Sequence, residues 1–230
     1  YKGIHTTATM GCSANMLTSL AHTTQGFDDY VFYVGLQNTM ETERSVCQQS
    51  MSHTTDTPLF TFNCSSTTGS CLAVNDQFIV VSYPGSDKTT AIVYSRQAKT
   101  QTTIEMKHTP NACRFLHNSN FLLFSFKSEI KSYLLSDEGK SLDLQWVCDL
   151  APDAHGMAVL NDGVILAHSP KHKDVYAVSK LGSLIAVFEN EEIEKATVGD
   201  ICVRESETGG KSLYLPSSTH QSIIQFTIVY

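Results

Sequence analysis

Ala154-His155-Gly156-Met157-Ala158-Val159-Leu160-Asn161-Asp162-Gly163-Val164-Ile165-Leu166-Ala167-His168-Ser169-Pro170, continued by Lys171-His172-Lys173-Asp174-Val175-Tyr176-Ala177-Val178-Ser179-Lys180, is the stretch that decides the fold. It divides into three apolar runs, at roughly 156–160, 164–168 and 174–179. Asn-Asp-Gly separates the first two, and Ser-Pro ends the second. An Asp-Gly turn between apolar runs of strand length favours a tight hairpin, because glycine adopts the positive φ such turns need. The stretch therefore predicts three consecutive antiparallel strands.

The same layout recurs. The most apolar strand of each unit starts near residues 30, 78, 121, 164 and 212, in steps of 48, 43, 43 and 48. An apolar strand precedes each one, at 71–74, 113–116, 156–160 and 201–203, with a weaker one near 16–21. Another follows each, at 43–47, 90–95, 130–135, 174–179 and 222–228. A fourth, outer strand fits 101–106, 142–148 and 184–188. Units of this length with several strands each mark the blades of a β-propeller.

The expectation is an all-β propeller of five four-stranded blades, six being the rival count. It is read as one domain over 1–230, with blades near 11–56, 57–106, 107–150, 151–197 and 198–230. The last unit has no fourth strand of its own. Ile4-His5-Thr6-Thr7-Ala8-Thr9, within 1–10, is expected to supply it and close the ring, which removes open sheet edges. Glu189-Asn190-Glu191-Glu192-Ile193-Glu194-Lys195 suits either one helical turn or an acidic loop.

Composition narrows the function classes. The chain has 230 residues and a net charge of −7, which argues against a broadly basic nucleic-acid coat. No apolar run reaches the roughly 18–20 residues of a membrane helix. A chain that opens on Tyr1 is expected to be an excised domain or a processed product. Its seven cysteines are scattered, with no C-x-x-C pair, and several lie inside apolar runs. That usage suits a reducing, cytoplasmic setting.

Residues 154–185 resemble an NHL repeat, the propeller unit of tripartite-motif ubiquitin ligases and related regulators. The resemblance lies in His155-Gly156-Met157-Ala158-Val159, Asp162-Gly163, the strand 164–167, and Asp174-Val175-Tyr176-Ala177-Val178. Asp200-Ile201-Cys202-Val203, Ser212-Leu213-Tyr214-Leu215 and 220–226 are similar in outline. The family's Asn-His-Arg-type turn is replaced by Ser169-Pro170-Lys171-His172 and Ser217-Ser218-Thr219-His220. The resemblance implies the partner-binding domain of a larger ligase, with ubiquitin transfer carried by a zinc-binding domain outside this chain.

Strand order sorts the loops into two ends. Loops from second to third strand, and those leading into each first strand, share one end. That end collects Lys88, Lys107, Lys127, Lys171, His172, Lys173 and His220, the candidate partner-binding residues. Asp28-Asp29, Asp76, Asp137-Glu138, Asn161-Asp162, Glu205 and Glu189–Glu192 are expected at the other end. A cationic end points to a protein partner with carboxylates or to RNA phosphates, RNA binding being the first alternative function. Tyr33, Tyr83 and Phe126 lie near that end, where bases could stack on them. Alternation is expected to bury most of them between blades, Tyr83 beside Pro84 being the one expected to be exposed.

The second alternative is a propeller hydrolase or lactonase, for which Asp153 and Asp200 are the carboxylates able to approach the centre. No nucleophile elbow or phosphate loop is present, so no catalytic residue is assigned. His168 and His172 are four apart on strand and loop, not on a helix, so they lack the geometry by which i,i+4 histidines share a metal. No metal or cofactor is expected. The leading expectation is a non-enzymatic, protein-binding module.

Overall fold

The computed structural model describes residues 17–25, 28–36, 43–50, 56–64, 71–84, 88–117, 119–149, 151–189, 191, 193–196, 200–206, 209–217 and 222–228. Antiparallel hairpins account for nearly all their regular structure. The chain divides into two compact units, 1–67 and 68–230.

The first unit holds one sheet of strands β1 (Leu17–Gln25), β2 (Asp28–Leu36), β3 (Glu43–Ser50) and β4 (Asp56–Asn63), ordered as in the sequence. Strand β4 went unread in the sequence, where the first blade ended at 56. It pairs instead with β3 and completes this sheet. Pro58 is tolerated there because β4 is an outer strand, where a missing N–H removes no ladder bond. Phe60 and Phe62 are buried, with ring centroids 6.4 Å apart, while Thr61 and Asn63 are exposed.

The second unit repeats the pattern. Strands β5 (Cys71–Val74), β6 (Phe78–Pro84), β7 (Thr89–Ser95) and β8 (Thr100–Met106) form its first sheet. The next comprises β9 (Ala112–Phe115), β10 (Phe121–Ser125), β11 (Ile130–Leu135) and β12 (Leu142–Cys148). The third has β13 (Gly156–Val159), β14 (Ile165–Ser169), β15 (Asp174–Val178) and β16 (Leu184–Glu189). The last contains β17 (Cys202–Glu205), β18 (Lys211–Ser217) and β19 (Ser222–Ile228). The segment left open between helix and loop contains a 3-10 turn at Ile193–Lys195. Ile4–Thr9 lies outside the described residues, as does any strand it would add.

First strands β5, β9, β13 and β17 are neighbours in that order. Each sheet packs on the next through its own apolar layer. Phe78, Val80, Leu122 and Phe124 fill the first layer, and Leu123, Met157, Ile165 and Val178 the second. Leu160, Leu166, Val175 and Leu215 fill the third. Fully burying one such side chain is worth about 1.5–3 kcal/mol, so these layers hold the sheets together. A middle strand covered on both faces must be apolar throughout. Strand β14 is buried at all five positions, whereas β8 alternates between exposed and half-buried.

The Asn161-Asp162-Gly163 turn forms as predicted. Gly163 adopts φ +86°, its N–H donates to Leu160 O at 2.8 Å, and Leu160 N–H donates to Val164 O at 2.8 Å. A Cβ at Gly163 would meet the aliphatic stem of Lys180. Outer strands carry one irregularity the sequence does not announce. The ladders β3–β4, β11–β12 and β15–β16 each slip by a residue, passing over Leu59, Gln145 and Ile185. Such a bulge reverses the side-chain alternation beyond it. Leu142 thus packs on the layer toward the preceding sheet and Trp146 on the layer toward the following one.

Candidate recognition face

In an antiparallel meander every second connection emerges at the same end. In the second unit that end gathers loops β6–β7, β10–β11, β14–β15 and β18–β19, with the connections β8–β9, β12–β13 and β16–β17. Lys107 and His108 stand exposed in the β8–β9 connection, and Lys127 is exposed in β10–β11. Lys171, His172 and Lys173 are exposed in β14–β15. Asp153 N–H donates to Lys127 O at 3.0 Å, joining the Lys127 loop to the connection that leads into β13. Lys173 sits at φ +61° with its N–H on Ser169 O at 2.8 Å, so the tip is a closed turn. His220 lies outside the described residues.

The cations are not equivalent. Lys88 pairs with Glu105 at 2.8 Å and Lys173 with Glu194 at 2.9 Å. These are exposed pairs, of the kind worth about 0–1 kcal/mol. Among the described residues Lys107, Lys127 and Lys171 form no ion pair.

The expected separation of charge between the ends does not hold. The β16–β17 connection leads into a first strand, so its acids share the end with Lys171–Lys173, as the Lys173–Glu194 pair shows. Of Glu189 to Glu192, expected at the opposite end, Glu189 and Glu191 lie in this connection, and Glu192 lies outside the described residues. Conversely, the far end carries Arg96, Lys99, Lys140, Lys180 and Lys211 among its acids. Lys211 holds Asp162 at 2.5 Å and Glu205 at 3.6 Å, and Asn161 N–H donates to Glu205 Oε1 at 2.5 Å. These contacts hold down Asp162, whose carboxyl lies below its usual value, the Lys211 hydrogen bond being the main cause. The cationic end is therefore a sector over three successive sheets, flanked by the acids after β16.

Beneath that sector lies a group the sequence reading did not single out as a site. His168, on β14, is fully buried, and neither ring nitrogen has a hydrogen-bond partner. Burial, and then the nearby His155, push its pKa down to about 4. Its carbonyl accepts His155 N–H at 2.9 Å, and His155 Nε2 lies 3.5 Å from Asp153 Oδ1. Ser125 Oγ donates to Ala154 O at 2.7 Å, next to His155 in the chain. A neutral imidazole here is consistent with a low dielectric under the loops. No group of three or more His, Cys, Asp or Glu spaced for a metal occurs among the described residues.

Of the three aromatics near that end, most are buried, as strand alternation predicts. Tyr33 and Phe126 are buried, and Lys131 Nζ sits 5.4 Å from the Phe126 ring centroid. Tyr83 is half-buried.

Along the inner strands, Arg114 of β9 reaches both ways. Its Nε donates to Met157 O at 3.1 Å, and its Nη1 donates to Leu72 O and Cys113 O, each at 3.2 Å. Its Nη2 pairs with Asp200. One guanidinium thus bridges β5, β9, β13 and the segment before β17, and burial lowers its pKa. Asp200, a carboxylate considered for hydrolytic chemistry, is engaged in this ion pair. The apolar context of Cys113 shows only that it is buried, its thiol pushed up mainly by that burial.

No protein-family model matches the chain, and no curated protein matches it in sequence. Solved structures do match in fold. A chain of a nidogen/laminin complex superposes with a TM-score of 0.66 at 12% identity, covering 93% of this chain and 76% of that one. The Myceliophteria thermophila Cps50 (Swd1) β-propeller domain gives 0.59 at 10% identity, over 93% and 84%. YCF48 bound to a D1 peptide gives 0.56 at 10% identity, over 89% and 64%. At such identities the likeness concerns architecture alone. With the successive antiparallel sheets, it shows that the chain is an all-β propeller.

Proposed function

We propose that this propeller is a non-enzymatic recognition module that binds an acidic protein segment. It does so through the end bearing Lys107, Lys127, Lys171 and His172, with Lys88 and Lys173 at its margins. The carrying observation is that three lysines in connections of three successive sheets have no carboxylate partner among the described residues. Unpaired ammonium groups over a rigid β scaffold raise the local concentration of carboxylates and hold them within a Debye length of about 8–10 Å. The fold supports the same reading, since propellers offer rigid loop-rimmed surfaces to ligands. The NHL-like residues at 154–185 support a setting in a cytoplasmic tripartite-motif-type ligase, in which this domain selects the substrate. Burial of Tyr33 and Phe126 favours protein over RNA.

The test is a pull-down from lysate, with and without ribonuclease, using wild type and the Lys127→Glu/Lys171→Glu variant. Lys99→Glu/Lys140→Glu at the far end serves as the control. Proteins kept through ribonuclease, lost with the first variant and kept with the control are the expected result. Loss on ribonuclease alone would transfer the reading to RNA. Equal retention by all three forms would refute the assignment of the face.

A further inference from the structure

Two cysteines of the second unit come from different sheets and meet. Cys71 opens β5 and Cys113 lies in β9, the first strands of neighbouring sheets. Alternation turns Cys71 with Ala73, and Cys113 with Phe115, into the one apolar layer those sheets share. Both cysteines are buried there, at 5% and 1% exposure. Arg114 Nη1 donates to Leu72 O and to Cys113 O together, so the two backbones adjoin beside them. Across that junction the Cys71 and Cys113 thiols are hydrogen-bonded to each other. By contrast, Cys148 belongs to the following layer, and Cys202 is exposed.

We infer that Cys71 and Cys113 are a redox-responsive pair, which a peroxide joins into a disulfide that staples sheet β5–β8 to sheet β9–β12. The thiolate of one cysteine attacks an oxygen of hydrogen peroxide, the O–O bond breaks, and a sulfenic acid and one water result. The second thiol then attacks the sulfenic sulfur, and its proton leaves with the hydroxyl group as a second water. The two sulfurs together lose two electrons, and the peroxide gains them. Hydrogen peroxide is scarcely larger than water, so it reaches a layer closed to bulkier oxidants. Burial keeps the Cys113 thiol protonated, and the thiolate is the reactive form, so the step is slow in the folded chain.

The test treats the reduced full chain with millimolar hydrogen peroxide, alkylates the remaining thiols and digests with trypsin. The expected product is the peptides 45–88 and 108–114 joined with loss of two hydrogens, and separated again by dithiothreitol. Peptide 45–88 also contains Cys47 and Cys64, so fragment masses must place the bridge on Cys71. Cys71→Ala and Cys113→Ala keep a small apolar group in the layer and should each abolish the joined pair. Cys202→Ala, also near Arg114, should leave it intact. Should an alanine variant fail to fold, the fragment masses of the wild-type pair still assign the bridge. In the oxidised wild type the urea midpoint should rise by roughly 1–2 M, as closing a loop of about 40 residues implies, and dithiothreitol should reverse the rise. Thiols that stay free, a bridge carried by Cys47 or Cys64, or oxidation to sulfinic acid without a bridge would each overturn the inference. A bridge that leaves the midpoint unchanged overturns the staple.

Discussion

Replacing Arg114 with Met keeps the length and apolar stem of the side chain but removes its guanidinium. The loss is worked from four contacts: Met157 O at 3.1 Å, Leu72 O and Cys113 O at 3.2 Å, and the Asp200 carboxylate. Hydrogen bonds to a charged donor contribute about 1.5–3 kcal/mol each when buried. The three carbonyls belong to inner strands, and two of them lie on neighbouring sheets. The pair with Asp200 is half open to water, with Asp200 46% exposed, and so adds about 1 kcal/mol or less. The contacts share one donor group and are not additive, so the expected loss is about 3–4 kcal/mol. Urea unfolding can be followed by the fluorescence of Trp146, the chain's only tryptophan, which packs between two sheets of the second unit. With an urea m-value of about 2–3 kcal/mol per molar, the midpoint should fall by roughly 1–2 M. Asp200→Asn should move it far less, and Lys140→Ala, at an exposed pair, should leave it in place. A shift below about 0.4 M for Arg114→Met, equivalent to about 1 kcal/mol, would refute the idea that this group bridges the sheets.

His168 makes stability depend on pH. Its pKa falls from 6.5 unfolded to about 4 folded, so between those values the unfolded chain binds a proton that the folded chain refuses. Stability from this group is whole above pH 6.5 and declines as the pH drops toward 4, by about 3 kcal/mol in all. Urea midpoints measured across that window should slope for wild type and flatten for His168→Leu; parallel slopes would contradict the assignment. At Gly182, φ is +87° and an added Cβ would lie 2.8 Å from the Trp146 ring. Gly182→Ala should therefore cost about 1–3 kcal/mol and alter the Trp146 emission spectrum, and an unchanged midpoint and spectrum would argue against that contact.

Much of the architecture was legible because middle strands covered on both faces leave long apolar runs. Those runs at 78, 121, 164 and 212 begin within a residue of β6, β10, β14 and β18. Outer strands carry a weaker signal, and Pro58 hid β4 because proline reads as a strand breaker away from an edge. The bulges at Leu59, Gln145 and Ile185 have no glycine to mark them. The candidate face was legible as a set of loops, since strand order alone assigns each loop to an end. Its charge balance was not, because partners lie far apart in sequence: Lys88 and Glu105 differ by 17 positions, and Lys211 and Asp162 by 49. His168 looked like any histidine in a strand, and only the packing of other segments around it removes its partners.

The reach of Arg114 also has a consequence in time. Each sheet is a run of contiguous hairpins and can form as soon as its own residues leave the ribosome. Arg114 meets Cys113 within its own sheet and Leu72 in the preceding one, but Met157 and Asp200 are synthesised later. At about 5–20 residues per second, Asp200 follows Arg114 by roughly 4–17 s. During that interval the nascent chain carries a cation among inner strands that still lacks its carboxylate. A nascent chain that has emerged only to about residue 150 would therefore hold the first two sheets of the second unit, β5–β8 and β9–β12, whose exposed flank awaits β13–β16, the state in which a chaperone would find most to bind.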